Sequence, residues 1–212
     1  MRPPQDWRRA RVTAGLCIVI AVAFILAQLT SPYQVAIRGG FIPARMGFPV
    51  DATVVPDWLT PLSAAFIHDG LLHILFNLLI FAFCGRSVEN VLGPAAIGIL
   101  FLIGAYAAAL GHYLIDPNSD HFMIGASGAV SAVIGAYAML FGRNRVKVEN
   151  PTLALWLNAL WLAAGWIALQ ALVGFASGMG GNVAIAIGAH IGGFLAGIVL
   201  ARPLLLFRYR GA

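Results

Sequence analysis

Six long apolar runs separated by turn-rich pieces constrain this chain more than any other feature of its 212 residues. They cover about 12–29, 59–83, 92–115, 124–141, 153–175 and 183–207. Each is near or above the ~17–25 residues that a helix needs to cross a bilayer. The pieces between carry Ser31-Pro32, Gly93-Pro94, Asp116-Pro117-Asn118, Asn150-Pro151 and the stretch 178–182, residue types that stop helices and turn chains. Hydrocarbon offers backbone groups no partner, so every run is expected to be helical throughout. Composition agrees: 60% of residues are hydrophobic and 10% are charged, against about 25% charged in soluble domains. A soluble domain cannot bury that much apolar surface. The chain therefore reads as an all-α integral membrane protein, a bundle of six transmembrane helices. Its divisions are a basic N-terminal segment (1–11), the six-span body (12–207) and a short tail (208–212).

The basic residues orient the bundle. Arg2, Arg8, Arg9 and Arg11 precede the first run, and Arg86 follows the second. Arg143, Arg145 and Lys147 follow the fourth, and Arg202, Arg208 and Arg210 close the chain on the same side. Only Arg38 and Arg45 fall on the other side. The positive-inside rule then places both termini in the cytoplasm. A net charge of +5 would suggest nucleic acid in a soluble chain; here it is a topology signal, the lipid bilayer is the partner, and no nucleic acid is expected. Reading the basic start as a cleaved signal peptide would leave an odd number of spans. With no extended transit-like region, the short basic start points to a bacterial inner membrane. The stretch 30–57, with Gly39-Gly40, prolines and several apolar residues, is expected to lie in the outer interface. Cys17 and Cys84 fall in or at the end of apolar runs and offer no disulfide framework or metal spacing.

Polar groups inside lipid-length runs are costly, so each is a functional candidate by default. They are His68, His73 and Asn77 in the second run, His112 in the third, and Ser127 and Ser131 in the fourth. Asn158 and Gln170 lie in the fifth and His190 in the sixth. Runs two, four and six all begin on the outer side, and helix side chains tilt toward the N-terminus. His73, Asn77, Ser127 and His190 therefore lean outward. Ser127 precedes Phe141 by 14 residues, about 21 Å of helix, which puts it roughly 9 Å below the outer boundary of a ~30 Å core. His190 lies about 25 Å before Phe207 by the same rise, a compatible height.

Small residues permit these groups to touch. Gly128 and Gly135 sit in the fourth run, and Gly188/Gly192 and Gly193/Gly197 are spaced by four in the sixth. Such spacing lets membrane helices approach closely. Ser127 in Gly125-Ala126-Ser127-Gly128 can then come within ~2.6–3.2 Å of His190, as nucleophile and general base. His190 would take the proton and later return it to the leaving amine. His73 and Asn77, four apart, share one helix face. With the Ser127 backbone N–H they could hold a developing oxyanion. His68, five residues before His73, would not share that face and is expected to precede the regular helix. All eight acidic residues lie at run ends or outside them, so a Ser–His dyad is the simplest mechanism. Ser131 shares a face with Ser127 and reads as packing, and His112 as structural. Trp156, Trp161 and Trp166 read as packing or belt residues. No metal or cofactor is called for.

At this point the chain resembles the rhomboid intramembrane serine proteases, most clearly over 59–207. The marks are His68, His73-Ile74-Leu75-Phe76-Asn77, Gly85-Arg86-Ser87-Val88-Glu89 with Gly93, Gly125-Ala126-Ser127-Gly128, and Ala189-His190 with Gly193 and Gly197. Gly-x-Ser-Gly alone is weak; in this order on separate runs the set is specific. The resemblance implies Ser127 as nucleophile, His190 as base, and His73 and Asn77 in the oxyanion hole, with His68, Gly125 and Gly128 in support. It implies transmembrane protein substrates cut near the outer face, through a fifth span that moves to admit them. Glu89 matches an acidic position in the loop after the second run, read as a cap or an ion pair with Arg86 or a nearby base. Two positions depart from the pattern. An aromatic residue that supports the histidine ring often stands four after the serine, where this chain has Ser131. Trp-Arg is frequent in the first loop, where this chain has Trp58-Leu59-Thr60.

The expected function is that of an intramembrane serine endopeptidase, with a polar cavity open to the outer side to admit water. An inactive relative that binds membrane clients is the alternative. A small transporter would show inverted repeats or charged midplane residues, and the sequence has neither.

Overall fold

Glycine and proline set most helix boundaries, because one ends a helix cheaply and the other is tolerated in its first turn. The computed structural model describes residues 6–48, 51, 54–142, 148–176 and 183–211, with the side chains of 173–176 and 183–186 set aside. Arg2, Arg143, Arg145, Lys147 and the turn-rich 178–182 lie outside the described residues. The helices are α1 (Arg11–Gln28), α2 (Pro32–Gly39), α3 (Thr60–Ala64), α4 (Leu71–Leu92), α5 (Pro94–Ile115), α6 (Ser127–Phe141), α7 (Pro151–Ala176) and α8 (Val183–Arg208). Among the described residues the regular structure is helical, save one isolated bridge between Phe41 and Met123. Five helices (α1, α4, α5, α7 and α8) are long and apolar enough to cross a bilayer. The sixth, α6, has 15 residues, of which Ser127–Ala136, Ala138 and Phe141 are buried. At about 22 Å it is shorter than a bilayer core. Enclosed by its neighbours, it has a length that need not match the lipid.

Two runs expected to be helical throughout are not. The run 59–83 begins with a 3-10 turn (Asp57–Leu59) and α3, then turns through Gly70, whose φ is 91°. Regular helix starts only at Leu71 and continues to Leu92. The run 124–141 becomes helical at Ser127. Irregular backbone is tolerated at membrane depth where protein rather than lipid satisfies it, and both segments are so satisfied. The Gly125 N–H donates to the Ala64 carbonyl at 2.9 Å, and Phe41 and Met123 exchange backbone bonds of 3.1 and 2.7 Å. The second pair docks the 30–57 stretch onto the loop before α6.

Because α4 reaches Leu92, Arg86 and Glu89 lie on that helix and not in a loop after it. Of the two roles read for Glu89, capping is the one observed. Its buried carboxylate accepts the Val12 N–H (2.9 Å), the Thr13 N–H (2.7 Å) and the Thr13 hydroxyl (2.6 Å). First-turn amides have no acceptor inside their own helix and carry the positive end of its dipole. The Arg86 guanidinium instead lies 4.9 Å over the Trp7 ring, a cation–π arrangement. Replacing Glu89 with Ala should destabilise the fold by about 2–3 kcal/mol, the scale of hydrogen bonds to a charged group. Glu89→Gln, which keeps an acceptor, should cost less. Thermal unfolding in detergent reads both, and an unshifted midpoint for Glu89→Ala contradicts the cap.

Helix α8 packs chiefly on α5 and α6, with α7 more peripheral. Its two glycine pairs face different neighbours. A Cβ on Gly188 or Gly192 would run into the carbonyls of Gly111 or Ala107 on α5. One on Gly193 or Gly197 would run into those of Gly128 or Ala132 on α6. The backbones are thus in direct contact on both sides, as small residues spaced by four permit.

Candidate active site

Ser127 is the first residue of α6 and follows a turn at Gly125, whose φ of 106° favours glycine. The N–H of a first-turn residue has no intrahelical acceptor, so Ser127 presents an amide beside its own hydroxyl. From α8, which the glycine pair holds against α6, His190 Nε2 lies 2.9 Å from Ser127 Oγ. Both residues are buried.

His73, in the first turn of α4, rests its ring on Gly125. A Cβ there would lie 2.5 Å from His73 Nε2. The Asp69 N–H points at His73 Nδ1 across 3.4 Å. In a neutral ring that assigns the proton to Nε2, the atom facing the nucleophile loop. Asn77, one turn along, donates from Nδ2 to the His73 carbonyl at 2.8 Å. It is fully buried, its Oδ1 has no partner among the described residues, and it makes no hydrogen bond to Ser127 or His190.

His68 does precede the helix, and it has a definite place. Its Nε2 accepts the Ala126 N–H at 3.2 Å, pinning the residue before the nucleophile. Helical spacing had set it apart from His73, yet the two rings meet edge to face at 5.0 Å. Helical facing rules do not apply to a residue outside the helix. His112 packs edge-on against Phe41, with ring centroids 5.9 Å apart.

Gly125→Ala should impair this site through two effects. An L-residue in the left-handed region costs about 1–2 kcal/mol, and the added carbon displaces the His73 ring. Turnover should fall at least about tenfold, a step worth ~1.4 kcal/mol of barrier, while thermal unfolding shows a folded protein. Full turnover by a folded variant argues against the contact.

The sequence reads Ser131 as packing, at a position that often carries an aromatic residue, and Trp166 as a packing or belt residue. Ser131 Oγ donates to the Ser127 carbonyl and accepts the Trp166 indole N–H, both at 2.7 Å. The Trp166 ring stands edge-on to the His190 ring at 6.1 Å. Tryptophans five apart on a helix point ~140° away from each other, so Trp156, Trp161 and Trp166 cannot face one way. Trp161 is 72% exposed and Trp166 5%. No signal in the sequence distinguished them. The first loop also has an unforeseen tie, as the Tyr106 hydroxyl donates to the Trp58 carbonyl at 2.8 Å.

A small space against Ser127, on its α3 and α5 side, measures about 10 Å³ and is lined largely by alanine and glycine with Met123 and Ile124. That is close to the room needed by one water.

A family model for the Rhomboid domain matches residues 56–207. The chain belongs to the rhomboid family. The match takes in α3 to α8 and every residue of this site. RHOMBOID-like protein 5 of Arabidopsis thaliana is 32% identical over 145 residues, 68% of this chain and 43% of that protein. This rhomboid thus spans less than half the length of that relative. Family and long apolar helices together make it a multi-pass integral membrane protein. Where many rhomboids carry an aromatic residue after the serine, it has Ser131 with the Trp166 indole bonded to it.

Proposed function

We propose that this rhomboid is an intramembrane serine endopeptidase acting through a Ser127–His190 dyad. The observation that carries the reading is the 2.9 Å contact between Ser127 Oγ and His190 Nε2 in a buried, membrane-embedded setting. Ser127 Oγ attacks the scissile carbonyl as His190 Nε2 takes its proton. The tetrahedral oxyanion is met by the Ser127 N–H at the positive end of α6, by His73 Nε2–H and by the free amide hydrogen of Asn77. Protonated His190 then gives its proton to the leaving amine, and water repeats the cycle on the acyl-enzyme. Out of bulk water these dipoles act in a low dielectric and need no reorganisation.

The six-span count, cytoplasmic termini and a site opening to the extracytoplasmic side belong to the same proposal. The eleven-to-two Lys/Arg asymmetry supports them. Substrates are transmembrane proteins, admitted by a shift of α7, the more peripheral of the long helices around the site.

A fluorophosphonate probe tests the chemistry. Ser127 should be labelled in membranes, and His190→Ala should abolish labelling. An unlabelled wild-type protein that still binds membrane proteins would favour the client-binding alternative.

A further inference from the structure

We propose that Trp166 of α7 is a positioning residue for His190, locked in place by Ser131. The inference rests on the dyad reading above and adds a third helix to the site. Three observations carry it. The Trp166 ring stands against the His190 ring, 6.1 Å between centroids at 64°, the edge-to-face geometry that aromatic pairs favour. Its N–H is committed at 2.7 Å to Ser131 Oγ, and the Ser131 hydroxyl is committed at 2.7 Å to the Ser127 carbonyl. Both side chains are buried, where an unmade hydrogen bond costs its full desolvation.

These bonds form one chain, from the Trp166 indole through the Ser131 hydroxyl to the Ser127 backbone. The indole is thereby referenced to the nucleophile's own helix turn while its ring restrains the base. No carboxylate of the described residues hydrogen-bonds or ion-pairs with His190. Ring packing therefore supplies the orientation that an acidic partner gives in a triad. The arrangement also ties α7 to α6 at the active site. When α7 moves outward the Trp166–Ser131 bond breaks and His190 loses its support, so the dyad is aligned only with α7 seated.

Cleavage kinetics in reconstituted vesicles test this. Trp166→Leu, which removes ring and donor, should lower kcat about 10- to 30-fold with KM changed less than about twofold. That is a smaller loss than the ~10²-fold a 1 Å misplacement can cause. Trp166→Phe and Ser131→Ala each remove one end of the same bond. Each should lower kcat about 3- to 10-fold, and their combination should cost no more than either alone, the signature of coupled residues. Trp166→Leu at wild-type kcat, or full additivity of the other two, overturns the proposal. Should Trp166→Leu not fold, Ser131→Ala decides alone, with unchanged kcat overturning it. Ser127-dependent cleavage by the wild type separates the two readings. If it is absent both fall; if it is present and these variants match it, only the role of Trp166 falls.

Discussion

Ser127→Ala should reduce cleavage of a reconstituted transmembrane substrate by at least about 10⁴-fold, the scale on which removal of a serine nucleophile acts. His190→Ala should come close to the same loss, and the double variant should be little worse than either. In the proposed mechanism the two groups, 2.9 Å apart, perform one proton transfer, so removing one leaves the other nothing to do. Both positions are buried, and each substitution deletes atoms without adding bulk, so thermal unfolding should show a folded protein. Labelled substrate in vesicles with gel readout measures the effect. Undiminished cleavage by Ser127→Ala removes the serine mechanism outright. Nearly additive losses in the double variant would mean that the residues act independently, which contradicts the dyad.

The second large effect is expected far from any reacting atom. Gly197→Ala should cost about 100-fold or more in turnover and lower the unfolding midpoint, although it adds one carbon. That carbon would overlap the Ala132 carbonyl, which is backbone and cannot rotate away. Helix α8 must retreat from α6, and the short serine side chain cannot follow His190 across the gap. A 1 Å misplacement of reacting groups is worth ~10²-fold. Gly165→Ala on α7 is the control, since nothing lies within 4 Å of the added carbon. It should stay within about twofold of wild type on the solvent- or lipid-facing scale of such changes. Equal activity for Gly197→Ala and Gly165→Ala would show that the tight α6–α8 contact does not set the dyad distance. Loss of activity without any change in midpoint would place the effect on alignment alone.

Much of this was legible in advance because lipid simplifies the code. Apolar length gave the membrane assignment, and the ends of α1, α5, α7 and α8 fall within two residues of the apolar runs. A hydroxyl and an imidazole are conspicuous against hydrocarbon, and the glycine spacing on α8 showed that helices would approach. The misplaced elements were those where protein replaces lipid as the surrounding medium. Hydropathy treats 59–70 and 124–126 as more span, because their residues are apolar. Their departure from single continuous helices depends on tertiary bonds, in which the Gly125, Met123 and Ala126 amides find acceptors at Ala64, Phe41 and His68. Likewise Glu89 reads as an acid beside Arg86, while its partners stand 76 and 77 residues away at the start of α1.

The amino-acid sequence by itself determined that the chain enters a membrane, that its helices approach at small residues, and that Ser127 and His190 are the conspicuous candidate pair. Each follows from composition and periodicity, which are local. Only the tertiary structure decided which face of α7 turns inward, and hence that Trp166 and not Trp161 stands beside His190. It alone placed His68 on the Ala126 amide and Ser131 between an indole and a carbonyl. Those contacts depend on the rotation and register of one helix against another. These are set by the fit of many side chains at once, and no single segment carries that information.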